Sequence, residues 1–524
     1  MVVGVFRVPL PDPSASLGPK RKNAILMTKE LENRMSNELG LRARRDFLRH
    51  AGSGFGMLGL ASLLDEAGCL TPQLMAGPND GLVDRSLAPL ASRPSHFPAK
   101  AKSVIWLFMN GGQSQVDTWD YKPELEKRDG KTLEGFDNKT GFFVDAVGGL
   151  MKSPFQFQQH GQSGTWVSEI FPALSKHVDD MAFIHSCFTE TNNHAPALFQ
   201  MNTGMSRMGF PGVGSWVTYG LGSESQNLPG YVVMCDTKGR GLPKGHATNW
   251  GAGFLPGVYQ GTFLAPKGDP IANLSRLPHM SANEQRRQLD LIARLNKQHQ
   301  EQSPAEAELA ARIESFELAY RMQIAAPEAF DIESESEQVK RLYGLDNDKC
   351  AHFGKQALMA RRLVERGTRF VQIFSGGMEN QLSWDGHIDI EGNHRQFAEE
   401  TDVPIAGLLS DLKQRGLLES TLVICAGEFG RLPLAQKGAK PGRDHNPNAF
   451  TAWFAGGGVK GGTHYGESDE IGHKASVNRV SINDLHATIL ALLGMDHTKL
   501  TYFFNGRNFR LTDVAGEVVR GIIG

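Results

Sequence analysis

Four short stretches set acidic, imidazole or amide side chains beside glycine. They are Asn110-Gly111-Gly112, Trp384-Asp385-Gly386-His387, Gly427-Glu428-Phe429-Gly430-Arg431 and Gly442-Arg443-Asp444-His445-Asn446-Pro447. Oxygen and imidazole donors brought together from separate loops are what a divalent metal ion requires, and glycine lets backbone turn tightly around it. The same residue types also cap helices and tie loops together by hydrogen bonds. A fifth stretch, Asn192-Asn193-His194-Ala195-Pro196 through Thr203-Gly204, follows an apolar run. A nucleophile at the start of a helix there would face free backbone amides and the positive helix end, a setting suited to a phosphoryl or sulfuryl group. The pattern reads equally as a capped, buried helix.

Such groups converge only if the chain presents them from one edge of a sheet. Apolar runs over 103–109, 181–184, 231–234, 368–374, 421–425 and 450–454 alternate with helical patterns. This predicts an α/β fold with a mainly parallel central sheet and helices on both faces. In such sheets ligands bind at the carboxyl ends of the strands, where several of these stretches fall. Residues 283–345 hold a polar helical insertion, with Leu309, Ile313, Phe316 and Tyr320 at helical spacing. The run Val480 to Gly494 has a polar start, an apolar face and a glycine stop, the pattern of a late helix.

The 524 residues divide into an N-terminal extension over 1–75 and one α/β domain over 96–524, without internal repeats. A net charge of -2 gives no electrostatic case for a nucleic-acid partner. Five cysteines lack the spacing of a metal knuckle or redox motif, and Cys187, Cys235 and Cys425 in or beside apolar runs read as buried free thiols. Arg44-Arg45-Asp46-Phe47-Leu48-Arg49, followed by the apolar Ala51 to Leu64, matches a twin-arginine export signal. That apolar run, about 14 residues, is too short and glycine-rich to span a bilayer of about 30 Å. No transmembrane span is expected. Glutamate at 66, where a lipoprotein box needs a small or aliphatic residue, argues against lipid anchoring at Cys69. The expected location is periplasmic or extracellular.

Taken together these motifs resemble one family. His194-x-Pro196 with Thr203-Gly204 is similar to the sulfatase signature, Cys or Ser-x-Pro-x-Arg ending in Thr-Gly, and the 480–494 helix to a late sulfatase helix. The twin-arginine signal, Phe108-Met109-Asn110-Gly111-Gly112, Trp384-Asp385-Gly386-His387, the Glu428 and the His445 stretches together resemble the bacterial exported family called domain of unknown function 1501. That family is placed within the alkaline phosphatase/sulfatase-like superfamily. The resemblance implies a metal site holding Zn, Mn or Ca on Asn110, Asp385, His387, Glu428 and His445. It puts His194 at the nucleophile position, as nucleophile, acid/base or extra ligand, with Arg431 or Arg443 pairing with substrate oxygens. Three departures bear on function. Asn110 stands where active members carry aspartate, His194 where they carry serine, threonine or modified cysteine, and Glu428-Phe429 where they carry Asp-His or Asp-Asn.

The expected activity is metal-dependent hydrolysis of phosphate or sulfate esters, on a small molecule or a polysaccharide. The rival is a metal- or carbohydrate-binding protein that keeps the fold and works beside other exported proteins. Both require the imidazole of residue 194 to lie near the 385–387 loop. Replacing Arg44-Arg45 by Lys-Lys is expected to strand the protein in the cytoplasm. Cell fractionation tests this, and unchanged export would remove the targeting assignment.

Overall fold

The computed structural model describes residues 89–265, 271, 279–302 and 307–524. The twin-arginine pair, the apolar stretch after it and Cys69 lie outside those residues. β1 (Ser103–Met109) is buried at every position, and a strand apolar on both faces must be covered on both. Its alternation divides the protein. Val104, Trp106 and Phe108 enter one hydrophobic core, and Ile105, Leu107 and Met109 enter another.

Eight further strands complete the sheet: β2 (Met181–Phe188), β3 (Tyr231–Met234), β4 (Thr262–Leu264), β5 (Phe370–Ser375), β6 (Thr421–Ala426), β7 (Phe450–Ala455), β8 (Thr463–Tyr465) and β9 (Val480–Ser481). The order is β8-β2-β7-β6-β1-β5-β3-β4, with β9 also paired to β2. Only β7 runs antiparallel to its neighbours, β2 and β6; every other pairing is parallel. The mainly parallel sheet of the sequence reading is thus present. The short edge strands β4, β8 and β9 carry too few residues to show a period.

The first core is closed by α1 (His194–Thr203), α2 (Val213–Leu221) and, through Leu485, Ile489 and Leu490, by a late helix over Ile482–Leu492. That last helix begins with a capping box between Ser481 and Asp484. Between α2 and it lie α3 (Ala282–Gln302), α4 (Ala307–Phe330), α5 (Ala351–Glu365) and α6 (Ile390–Gln414), which makes the late helix α7. The second core receives Met322 and Ala326 of α4, Phe353 and Leu358 of α5, and Phe397 and Leu408 of α6. Cys187, Cys235, Cys350 and Cys425 are free and buried, and burial raises the Cys187, Cys235 and Cys425 thiols above their usual pKa. Among the described residues no helix is long and apolar enough to cross a membrane.

Three buried histidines set a pH dependence. Burial lowers His185 to about 4, His394 to about 3 and His486 to about 4. The unfolded chain titrates them near their ordinary value of about 6.5, so below that pH unfolding takes up protons and stability falls. Each proton contributes about 1.4 kcal/mol per pH unit. Urea unfolding at pH 7 and pH 5 should therefore show clearly lower stability at pH 5. A flat profile would mean that these imidazoles are not held neutral.

Candidate metal centre

The loops leaving β1, β5 and β6 meet at the carboxyl edge of the sheet. Gly111 and Gly112 adopt φ of 104° and 83°, conformations that side chains disfavour. A Cβ on Gly111 would also lie 2.6 Å from the backbone nitrogen of Asp385. The Asn110 carbonyl accepts from Trp384 N at 2.9 Å, and Trp384 Nε1 donates to Ser375 Oγ at 3.1 Å, fixing the 383–387 loop against the ends of β1 and β5. Gly442 is pressed so closely on the His387 carbonyl that any side chain would overlap it. His445 lies opposite Arg431 in a two-residue antiparallel ladder. His194 is the first residue of α1, whose cap Asn193 accepts from Ala195 N at 3.3 Å and whose far end closes on Gly204.

These loops bring four donors together. One donor atom each from His194, Asp385, His387 and His445 lies within 4.8 Å of the others, and all four residues are buried. His387 Nε2 is 2.9 Å from His445 Nε2 and 2.9 Å from Asp385 Oδ1, and His445 Nε2 is 3.2 Å from that oxygen. His194 Nε2 is 3.0 Å from Asp385 Oδ2, yet both atoms are buried without an aligned hydrogen bond.

The outer nitrogens decide where the protons sit. His445 Nδ1 donates to the Asn192 carbonyl at 2.6 Å, and His387 Nδ1 to Gln436 Oε1 at 2.6 Å. His194 Nδ1 lies 2.7 Å from Glu428 Oε1. An imidazole that donates through Nδ1 in its neutral form turns a lone pair inward at Nε2. The Nε2 atoms of His387 and His445 thus face each other and Asp385 Oδ1, which also accepts from Arg431 at 2.6 Å, an arrangement of inward donors that suits a cation. Histidines held from behind by carboxylates, carbonyls or amides are the usual supporting geometry of metal ligands.

Electrostatics favour the same assignment. Burial raises the Asp385 carboxyl, but Arg431 and then His194 outweigh it and hold the pKa well below the carboxylate range. Burial, the neighbouring His194 and Arg431 keep His445 neutral, well below its ordinary value. For His194 burial works against charge, but Asp385 and Glu428 prevail and raise its pKa. A metal ion at Nε2 would take the place of that proton.

The remaining sequence candidates occupy other positions. Glu428 is one shell further out, accepting from Gly111 N at 3.0 and 3.2 Å while it holds His194. The Asn110 amide donates to the Gly377 carbonyl. Arg431 donates to Asp385 Oδ1 at 2.6 Å and to the carbonyls of Gly111, Gly112 and Arg443, which leaves it committed to the centre's frame. Arg443 forks onto Asp117 at 2.6 and 3.0 Å and bonds the Leu432 and Met151 carbonyls. Both guanidiniums are fully buried and spent on protein groups. Nearby, His394 of α6, not among those candidates, is held neutral by burial and accepts from Ser114 N at 2.9 Å.

A narrow crevice beside His194, too tight in this conformation to admit a water molecule, is lined by Asn110, Gly111, Leu198, Lys244, Met378 and Ser383. Lys244, unassigned from sequence, is half-buried there, and among the described residues no carboxylate is paired with its ammonium. Its signal was the glycine-rich cationic run Lys238-Gly239-Arg240-Gly241-Leu242-Pro243-Lys244-Gly245-His246 following β3. Residues 101–523 match the family described as "Protein of unknown function (DUF1501)". The chain belongs to that family.

Among solved structures this family member is similar to the lipoteichoic acid synthase LtaP from Listeria monocytogenes, at 9% identity over 84% of this chain and 81% of that one, with a TM-score of 0.30. It is similar to the PsFucS1 sulfatase from Pseudoalteromonas sp. at 12% identity, over 75% and 68% of the two chains, TM-score 0.31. A mutant of TAB5 alkaline phosphatase with bound Mg gives 10% identity, 76% and 99% coverage, TM-score 0.31. Scores this low carry no inference about chemistry. Among curated proteins none matches the chain.

The donor set fits a divalent ion: three nitrogens and a carboxylate suit Zn or Mn, whereas Ca takes six to eight oxygens. Gln436→Leu, which frees His387 Nδ1, should weaken metal binding about 10–100-fold, and Asp385→Ala should abolish it. Titration against a competing chelator measures both. Unchanged affinity in Asp385→Ala would place the ion elsewhere.

Proposed function

We propose that this protein is an exported, metal-dependent hydrolase of phosphate or sulfate esters. The observation that carries the reading is the inward convergence of three imidazole Nε2 atoms and Asp385, each imidazole held through Nδ1 by an outer partner. Asp385, His387 and His445, with His194 as fourth donor, would hold the ion. A bound divalent ion supplies a Lewis acid that polarises an ester oxygen.

The chain's own groups do the rest. Lys244 in the crevice is the cation available to an anionic ester, the role expected from sequence for Arg431 and Arg443. Asn110 and Ser383 offer polar atoms on the same wall. Without an ion, His194 holds a proton between Asp385 and Glu428; with an ion at Nε2 that proton is displaced, and the ring would serve as a ligand steadied through Nδ1 by Glu428.

A second reading has one observation in its favour. With both nitrogens facing carboxylates, protonated His194 has no lone pair with which to attack an ester. That favours a metal- or carbohydrate-binding protein, whose partners would be other exported proteins or polysaccharides.

Metal analysis of protein purified without chelator, followed by a screen of phosphate mono- and diesters and sulfate esters, separates the two. The hydrolase reading expects bound metal and turnover that falls at least about 100-fold in His194→Ala and in Asp385→Ala. Stoichiometric metal without turnover on any ester would favour the binding protein. Metal-free protein whose melting is unchanged in Asp385→Ala would defeat both versions of the metal site.

A further inference from the structure

Beside this buried centre stands an exposed apolar pair. Phe142 and Phe143 are 48% and 39% exposed, followed by Val144 at 41%. The Phe143 ring meets His387 edge-on with centroids 4.8 Å apart, and Phe142 lies 5.6 Å from His445. The two phenyl rings are 5.2 Å apart at 78°. Phe429, by contrast, packs on the His194 and His445 rings from inside and is fully buried.

The loop carrying the pair is fixed. Asn192 Nδ2 reaches the carbonyls of Lys139, Thr140 and Gly141 at 3.3, 3.2 and 2.7 Å, and Phe143 N donates to Asp444 Oδ2 at 2.6 Å. Asn192 is also the residue whose carbonyl holds His445, and Asp444 Oδ1 accepts from His445 N at 2.7 Å. Backbone tied this closely to the donor cluster holds the rings at its rim. Leaving two phenyl rings partly in water forgoes burial energy, and exposed apolar surface fixed against the side chains of a polar site marks a binding surface. With the His387 imidazole of the donor cluster only 4.8 Å from one ring, an occupant of the pair lies within reach of the centre, and the organic part of an ester held there is the occupant that fits. The rings carry no charge, so they favour a neutral, flat apolar face over a polyanionic chain.

We infer that Phe142 and Phe143 determine specificity by seating the apolar face of a ring, aryl or pyranose, carried by the ester. The inference rests on the ester reading above. It is tested with non-hydrolysable probes on the metal-loaded protein: methyl-, phenyl- and pyranosyl-phosphonate, with methyl- and phenylsulfonate in parallel, by titration calorimetry. A ring-bearing probe should bind about tenfold tighter than its methyl counterpart, the factor expected from aromatic contact. The phenyl and pyranosyl arms tell which ring is preferred. Phe142→Ala/Phe143→Ala, and Phe142→Leu/Phe143→Leu, which keeps apolar bulk should the alanine pair fail to fold, should reduce the ratio to about twofold or less. Affinity for the methyl probe should stay unchanged. Methyl probes that bind as tightly as ring probes, or a ring preference that survives in the leucine pair, overturn the inference and leave the ester reading standing. Binding by none of the probes defeats the ester reading and this inference with it.

Discussion

The carboxylate of Asp385 is almost wholly withdrawn from water, at 1% exposure. Removing a charge from solvent costs several kcal/mol, recovered only when partners surround it closely. Here Arg431 supplies the compensating charge on one side, and His194, His387 and His445 converge on the other. The loops after β1 and β5 and the segments around Arg431 and His445 are committed to that arrangement. Arg431 in turn spends its remaining donors on Gly111, Gly112 and Arg443, so the anion is what knits the β1 loop to the His445 ladder.

The sheet makes the gathering possible. Parallel β1, β5 and β6 end at the same edge, and their loops deliver Asn110, Asp385 and Glu428 to neighbouring positions. Antiparallel β7 starts at that edge instead, so the His445 segment enters the site just before it. A second buried pair, Arg443 with Asp117, fixes that segment from below. Burial raises Asp117, but Arg443 and then Ser114 prevail and hold its carboxyl lowered. Losing either partner would leave an uncompensated charge in the interior.

Much of this was legible in the residues. Apolar runs marked six strands closely, because a buried parallel strand needs an unbroken apolar stretch. Asp385, His387 and His445 were visible as donors beside glycine, and the glycines prove to be sites where backbone presses on backbone, as Gly442 does on His387. Arginine beside glycine looks the same in sequence whether its fork points to substrate or to a buried aspartate, so the inward commitment of Arg431 and Arg443 was hidden. Glu428 was readable as an acid near the site, but its place behind His194 depends on a few ångströms of loop geometry. Gln436 and the Asn192 carbonyl, which set two histidine tautomers, are ordinary neutral groups with no sequence signature. Lys244 follows the third strand in a run of cations and glycines with no pattern that would single it out.

Asn192 has two duties at once. Its carbonyl aims the ring of His445, while its side-chain amide grips three successive carbonyls of the loop that carries the exposed phenylalanines. A molecule leaning on that loop would strain the same residue that keeps one imidazole pointed inward. The rim and the interior of the site therefore share a hinge pin, and a rigid guest at one would steady the other.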